Sequence, residues 1–192
     1  MPSAPPIPKN ISLQKSKTHQ ALYAQEFSSI LNVVARYLSR PPLDKIAPFD
    51  VPWLIKLHHE MFADTWQWGG KLRQSTSIYG FSCQPDKIND KLTQILKDLH
   101  TLKSENMAFI NQATSLHHRI VQVHPFEKGN GKWARLLINI WLKQHAHPLV
   151  LWPSDKQASV VFKKEYIKAL QAADARNLRP FIALHKSLLA VK

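Results

Sequence analysis

The segment His124-Pro-Phe-Glu-Lys-Gly-Asn-Gly-Lys-Trp-Ala-Arg135 lies between two apolar stretches of helical period, and no other feature limits the fold as sharply. Upstream, Met107, Ile110, Ala113, Ile120 and Val121 recur mostly at helical spacing, which predicts a helix over about 107–123 with those side chains inward. It has to stop at His124, because Pro125 lacks an N–H and crowds the turn before it. Downstream, Trp133, Leu136, Leu137, Ile140 and Trp141 predict a second buried helix over about 132–145. A polar loop pinned between two buried helices sits at the edge of the interior, with Phe126 as its natural plug. Gly129 and Gly131 let backbone N–H groups approach a ligand with no Cβ in the way.

The rest of the chain is also helical in period. Over about 17–39, Leu22, Phe27, Ile30, Leu31, Val34, Tyr37 and Leu38 form an apolar stripe that Arg40-Pro-Pro42 ends. Asp50 can cap a helix carrying Val51, Leu54, Ile55, His58, Met61, Phe62 and Trp66. Trp68 to Cys83 breaks the period with glycines and β-formers, and predicts a turn and a short hairpin. Pro85-Asp86 opens a helix to about Lys103, and Pro148 and Pro153 mark a loop before one or two C-terminal helices. The expected fold is an all-α orthogonal bundle of roughly seven helices with one hairpin. Its parts are a flexible lead-in over 1–15, an N-terminal helix within 16–45 and a main domain over 46–190.

With 192 residues there is ample material for one core. No run of about 18 apolar residues exists and the first twenty residues carry prolines and lysines, so neither a membrane span nor a secretory signal is expected. A bacterial cytoplasmic location follows as the default, with delivery into another cell left open. Cys83 is the single cysteine, so no internal disulfide can form. The 26 Lys and Arg against 13 Asp and Glu give +13, which favours a polyanionic partner. The cations form no block, so a nucleic-acid partner rests on net charge alone.

The cations at the loop are more specific. Lys132 and Arg135 fall in the first turn of the second helix, where the macrodipole disfavours each by ~0.3–1 kcal/mol. Positions three apart share a face and side chains lean toward the helix start, so both can converge on the exposed amides and make an anion site. Asn130 can cap the helix or bond a phosphate oxygen. His124, at the other lip, has an imidazole suited to take a proton from an attacking hydroxyl. His117, in an apolar stripe, reads as a hydrogen-bonded core histidine. His118 and the His58-His59 pair lack a matching carboxylate set, so no metal ligands are assigned.

The same residues resemble the signature of the Fic/Doc superfamily, His-x-Phe-x-Asp/Glu-Gly-Asn-Gly-Arg-x-x-Arg. His124, Phe126, Gly129, Asn130, Gly131 and Arg135 match it, and Lys132 stands conservatively for arginine. The flanks Leu57 to Arg73, Leu116 to Arg119 and Tyr166 to Pro180 are similar too, nearest to the subgroup called mobile mystery protein B. The resemblance implies a Fic fold and transfer of a nucleoside monophosphate, usually AMP from ATP, to a Ser, Thr or Tyr hydroxyl of a target protein. It implies His124 as the base, Gly129, Asn130 and Gly131 on the phosphates, and Lys132 and Arg135 on the leaving pyrophosphate. Ser77, Ile78, Tyr79, Gly80 and Phe81 would be the flap that clamps the target like an added strand.

Lys128 departs from the signature, which places a Mg²⁺-holding carboxylate there; a lysine cannot ligate a cation. Three readings follow: its charge replaces the metal's, Glu127 takes over, or the site binds nucleotide without catalysis. Family members are often silenced by a helix with Ser/Thr-x-x-x-Glu-Gly/Asn. Thr101 to Asn106 carries those letters at the end of a core helix, whereas the 17–39 helix and the C-terminus lack them. Inhibition is therefore expected from a separate, antitoxin-like protein.

Overall fold

The computed structural model describes residues 18–76, 83–104, 107–153 and 160–190. Among them are seven α-helices: α1 (His19–Leu38), α2 (Val51–Phe62), α3 (Ile88–Ser104), α4 (Phe109–Val123), α5 (Asn130–Gln144), α6 (Val160–Asp174) and α7 (Arg179–Ser187). Sheet-like pairing among the described residues is limited to single bridges, Leu72 with Phe126 and Val150 with Leu189. Of the turn and hairpin expected over Trp68 to Cys83, residues 68–76 form turns and the single Leu72 bridge, while the flap, Ser77 to Phe81, lies outside the described residues, as do the lead-in and the last two letters of the inhibitory pattern. No helix among the described residues is long and apolar enough to cross a membrane.

Local chemistry sets the helix ends. The Thr18 hydroxyl accepts the Ala21 N–H, and the Asp50 carboxylate accepts the Trp53 N–H at 2.7 Å, each meeting a donor that a helix start leaves without a partner. Pro52 stands in the first turn of α2, where its missing N–H costs nothing. Helix α1 stops at Leu38, two residues short of Arg40-Pro-Pro42.

Helix α5 is the central element. Trp133, Ala134, Leu136, Leu137, Ile138, Ile140, Trp141 and Leu142 are all buried, the pattern of a helix enclosed on every side. It packs chiefly on α4, which is flanked by α3 and α7, while α1 lies across α2 and reaches α5. Burial of each Leu-sized side chain here stabilises by roughly 1.5–3 kcal/mol. The Trp133 indole also donates to the Leu54 carbonyl, tying α5 to α2 across the core.

Two expected faces turn out differently. In α1 the buried set is Leu22, Glu26, Ser29, Val33 and Tyr37, whereas Phe27 is 61% and Leu31 48% exposed. The helix is rolled because Glu26 and Ser29 have polar partners inside: Lys132 and Trp66 for Glu26, Asp64 for Ser29. Hydrophobic period alone is blind to such partners. Met107, expected inward, is 36% exposed and precedes the start of α4.

Candidate active site

Helix α4 ends on His124 in the left-handed conformation (φ 47°, ψ 60°), which turns the chain sharply into the loop. A residue other than glycine is strained there by about 1–2 kcal/mol, and the surroundings have to hold it. They do so through Arg73, a buried guanidinium 3% exposed. Its Nε donates to the His124 carbonyl at 2.7 Å and Nη2 to that of Val123 at 3.2 Å. The same group donates to the carbonyls of Ser75 and Cys83, and the Arg73 backbone N–H bonds the Pro125 carbonyl. Carbonyls at a helix C-terminus carry partial negative charge, so a cation suits this place.

The loop closes on itself. Phe126 is fully buried and stacks on the His58 ring, with centroids 3.6 Å apart and planes 7° from parallel. The Asn130 side chain accepts the Phe126 N–H at 3.0 Å and donates to the Phe126 carbonyl at 2.7 Å. Its amide is thus spent on loop closure, and the cap of α5 falls to Gly129. Gly129 has φ 77°, and a Cβ there would meet the Phe62 ring at 2.8 Å, so only glycine fits. A Cβ at Gly131 would meet nothing within 4 Å: that side of the loop is open.

Burial, then the charge of Arg73, holds the His124 pKa below 6.5, against a ring hydrogen bond to the Val121 carbonyl. The imidazole is therefore neutral at neutral pH, one nitrogen donating to Val121 and the other carrying the basic lone pair. The two cations take separate surroundings. Lys132 pairs with Glu26 of α1 at 2.7 Å, and the other Glu26 oxygen accepts the Trp66 indole N–H at 2.5 Å. Arg135 lies near a buried polar chain linking Tyr166, His117 and His185, at 3.2 Å and 3.0 Å. Burial, then His185 and Arg135, hold the His117 pKa well down, while burial pushes Tyr166 up to about 12 against the pull of Arg135. His117 is thus the bonded core histidine that the sequence suggested.

Residues 48–142 match the family model described as Fic/DOC family. The chain belongs to the Fic/DOC family. Among relatives, the protein adenylyltransferase fic-1 of Caenorhabditis briggsae is 31% identical over 115 residues, which are 59% of this chain and 22% of that protein. The protein adenylyltransferase Fic of Drosophila grimshawi is 30% identical over 117 residues, 59% of this chain and 23% of that one. The chain thus spans under a quarter of these relatives' length. A Fic-domain signaling protein of Bacteroides thetaiotaomicron superposes with a TM-score of 0.73 at 19% identity, covering 91% of this chain and 72% of that one. BepC of Bartonella tribocorum, solved with AMPPNP, gives 0.68 at 19% identity, covering 92% and 90%. These structural likenesses show the all-α Fic fold.

The partners of three buried polar residues, Glu26, His58 and Arg73, escaped the sequence reading. Each bonds a group at least fifty residues away in the chain as well as any nearer one, and no spacing rule marks such pairs. Lys128 stands where the family signature has its Mg²⁺-holding carboxylate, which leaves Glu127 as the one carboxylate of the 124–131 loop. Glu26 meanwhile competes with any anion for Lys132. Replacing Glu26 with glutamine keeps an acceptor for Trp66 and frees the ammonium. Affinity for inorganic triphosphate, read by calorimetry, is expected to rise about three- to tenfold, limited by screening because Lys132 is 38% exposed.

Proposed function

We propose that this Fic domain transfers a nucleoside monophosphate, AMP foremost, from a nucleoside triphosphate to a Ser, Thr or Tyr hydroxyl of a target protein. The observation that carries the reading is a neutral imidazole, fixed at the left-handed end of α4, next to an amide loop opening on α5. In this reading His124 takes the hydroxyl proton and the oxygen forms a bond to the α-phosphorus. The bond from that phosphorus to pyrophosphate breaks. Backbone amides of Gly129, Asn130 and Gly131 face the phosphates, and Lys132 and Arg135 balance the charge that departs with pyrophosphate. The curated relatives are named protein adenylyltransferases, which supports AMP as the group moved. Solved neighbours carry AMPPNP and ADP, which supports a nucleotide in the loop.

Lys128 favours a second reading, an inert nucleotide-binding module. Its ammonium can balance phosphate charge as a point charge, and no step is assigned to a metal. Incubation with labelled ATP and other triphosphates, alone and with lysate, with Mg²⁺ or with EDTA, separates the two. Transfer is expected to persist in EDTA, and Lys128→Asp is expected to make it depend on Mg²⁺. Binding that Arg135→Ala abolishes, with no labelling by any triphosphate under either condition, would instead establish the inert module. Glu26 provides a competitor within the chain for the role first expected of a separate inhibitory protein.

A further inference from the structure

His58 of α2 is fully buried, and its contacts converge on the loop. Its Nδ1 lies 2.9 Å from the Gly70 backbone nitrogen and its Nε2 lies 3.0 Å from the Lys128 carbonyl oxygen. The Gly70 N–H can only donate, so Nδ1 accepts. The neutral ring then carries its hydrogen on Nε2 and donates to Lys128. Burial pushes the His58 pKa down to about 4, against the opposing bond to Lys128, so this tautomer persists at neutral pH. Gly70 is itself fixed: its φ is 76°, and a Cβ there would meet the His59 Cβ at 2.6 Å.

We propose that His58 is a positioning residue that sets the orientation of the 128–129 peptide in the anion loop. The C=O and N–H of a trans peptide point in opposite directions, and the described chain has no cis bond. With the Lys128 carbonyl drawn toward His58, the Gly129 N–H points away from it. A flipped peptide presents an oxygen where this one presents a hydrogen, exchanging attraction for an anion with repulsion. Asn130 holds the Phe126 peptide groups but does not touch this carbonyl, and Gly129, lacking a side chain, does little to resist a flip.

This assignment rests on the reading of the loop as a phosphate site, and two substitutions separate the claims. In His58→Gln the side-chain amide nitrogen takes the place of Nε2 and keeps a donor for Lys128. In His58→Asn the shorter side chain reaches the place of Nδ1, keeping an acceptor for Gly70 and losing Lys128. Both remove the ring stacked on Phe126, so their difference reports the Lys128 bond. Titration with inorganic triphosphate and with ATP is expected to show His58→Asn weaker than wild type by about tenfold or more, with His58→Gln recovering most of that loss. The Lys128 carbonyl and Gly129 amide chemical shifts, followed by NMR, are expected to move in His58→Asn and stay near wild type in His58→Gln. Equal affinity in the two variants, with equal shifts at this peptide, overturns the assignment. If wild type binds neither compound, the phosphate reading falls, and the shifts of the 128–129 peptide alone decide the role of His58. If His58→Asn does not fold, His58→Gln decides: wild-type binding and shifts support the assignment, and loss of both in a folded variant overturns it.

Discussion

Replacing His124 with alanine is expected to lower nucleotidyl transfer by about 10²–10⁴-fold, the range that a positioned general base contributes, while leaving nucleotide affinity within about twofold. The asymmetry follows from the geometry: the imidazole ends α4, and the amides proposed to face phosphate belong to the 129–131 segment. A base must be deprotonated to act, so the rate falls as pH drops through its pKa. Burial and Arg73 place that pKa below 6.5, and the acid limb of the pH–rate profile is therefore expected below pH 6.5. Transfer at an undiminished rate in the alanine variant, or a limb at pH 7 or above, removes His124 from the role.

Arg73→Met is expected to be the most damaging single change to the fold, by about 3–5 kcal/mol in urea denaturation. The methionine fills similar space but leaves the carbonyls of Val123, His124, Ser75 and Cys83 without their charged donor. Where enough folded protein survives, loss of the nearby positive charge raises the His124 pKa, and the acid limb moves up toward 6.5. A variant as stable as wild type, with an unmoved limb, would show that Arg73 neither holds the turn nor tunes the imidazole.

The helices were legible in the sequence wherever apolar period and punctuation agree. Asp50 caps α2 as its side chain suggested, and the α4–loop–α5 unit follows from Pro125, the glycines and two apolar stripes. What stayed hidden depends on polar groups that find each other only in the folded chain. Glu26 looks like a solvent-facing residue within the 17–39 stretch, yet it is 6% exposed and bonded to Lys132, and it carries α1 round with it. The rule that residues three apart share a face brings Lys132 and Arg135 onto one end of α5, but it does not foresee that Glu26 pairs with the first and Tyr166 lies near the second. Asn130 was legible as a polar group of the loop. Its commitment to Phe126 was not, because that depends on the backbone shape of residues 126–130.

The chain of bonds through Tyr166, His117 and His185 has a fixed direction. The Phe181 carbonyl accepts from His185 Nδ1, so His185 Nε2 must accept from His117 Nδ1, and His117 Nε2 from the Tyr166 hydroxyl. One carbonyl in α7 thereby dictates where a phenolic proton in α6 points, through the His117 ring of α4. Three helices distant in sequence share a single grammar of donors and acceptors beside Arg135, and a reversal at any link has to be rewritten along the whole line.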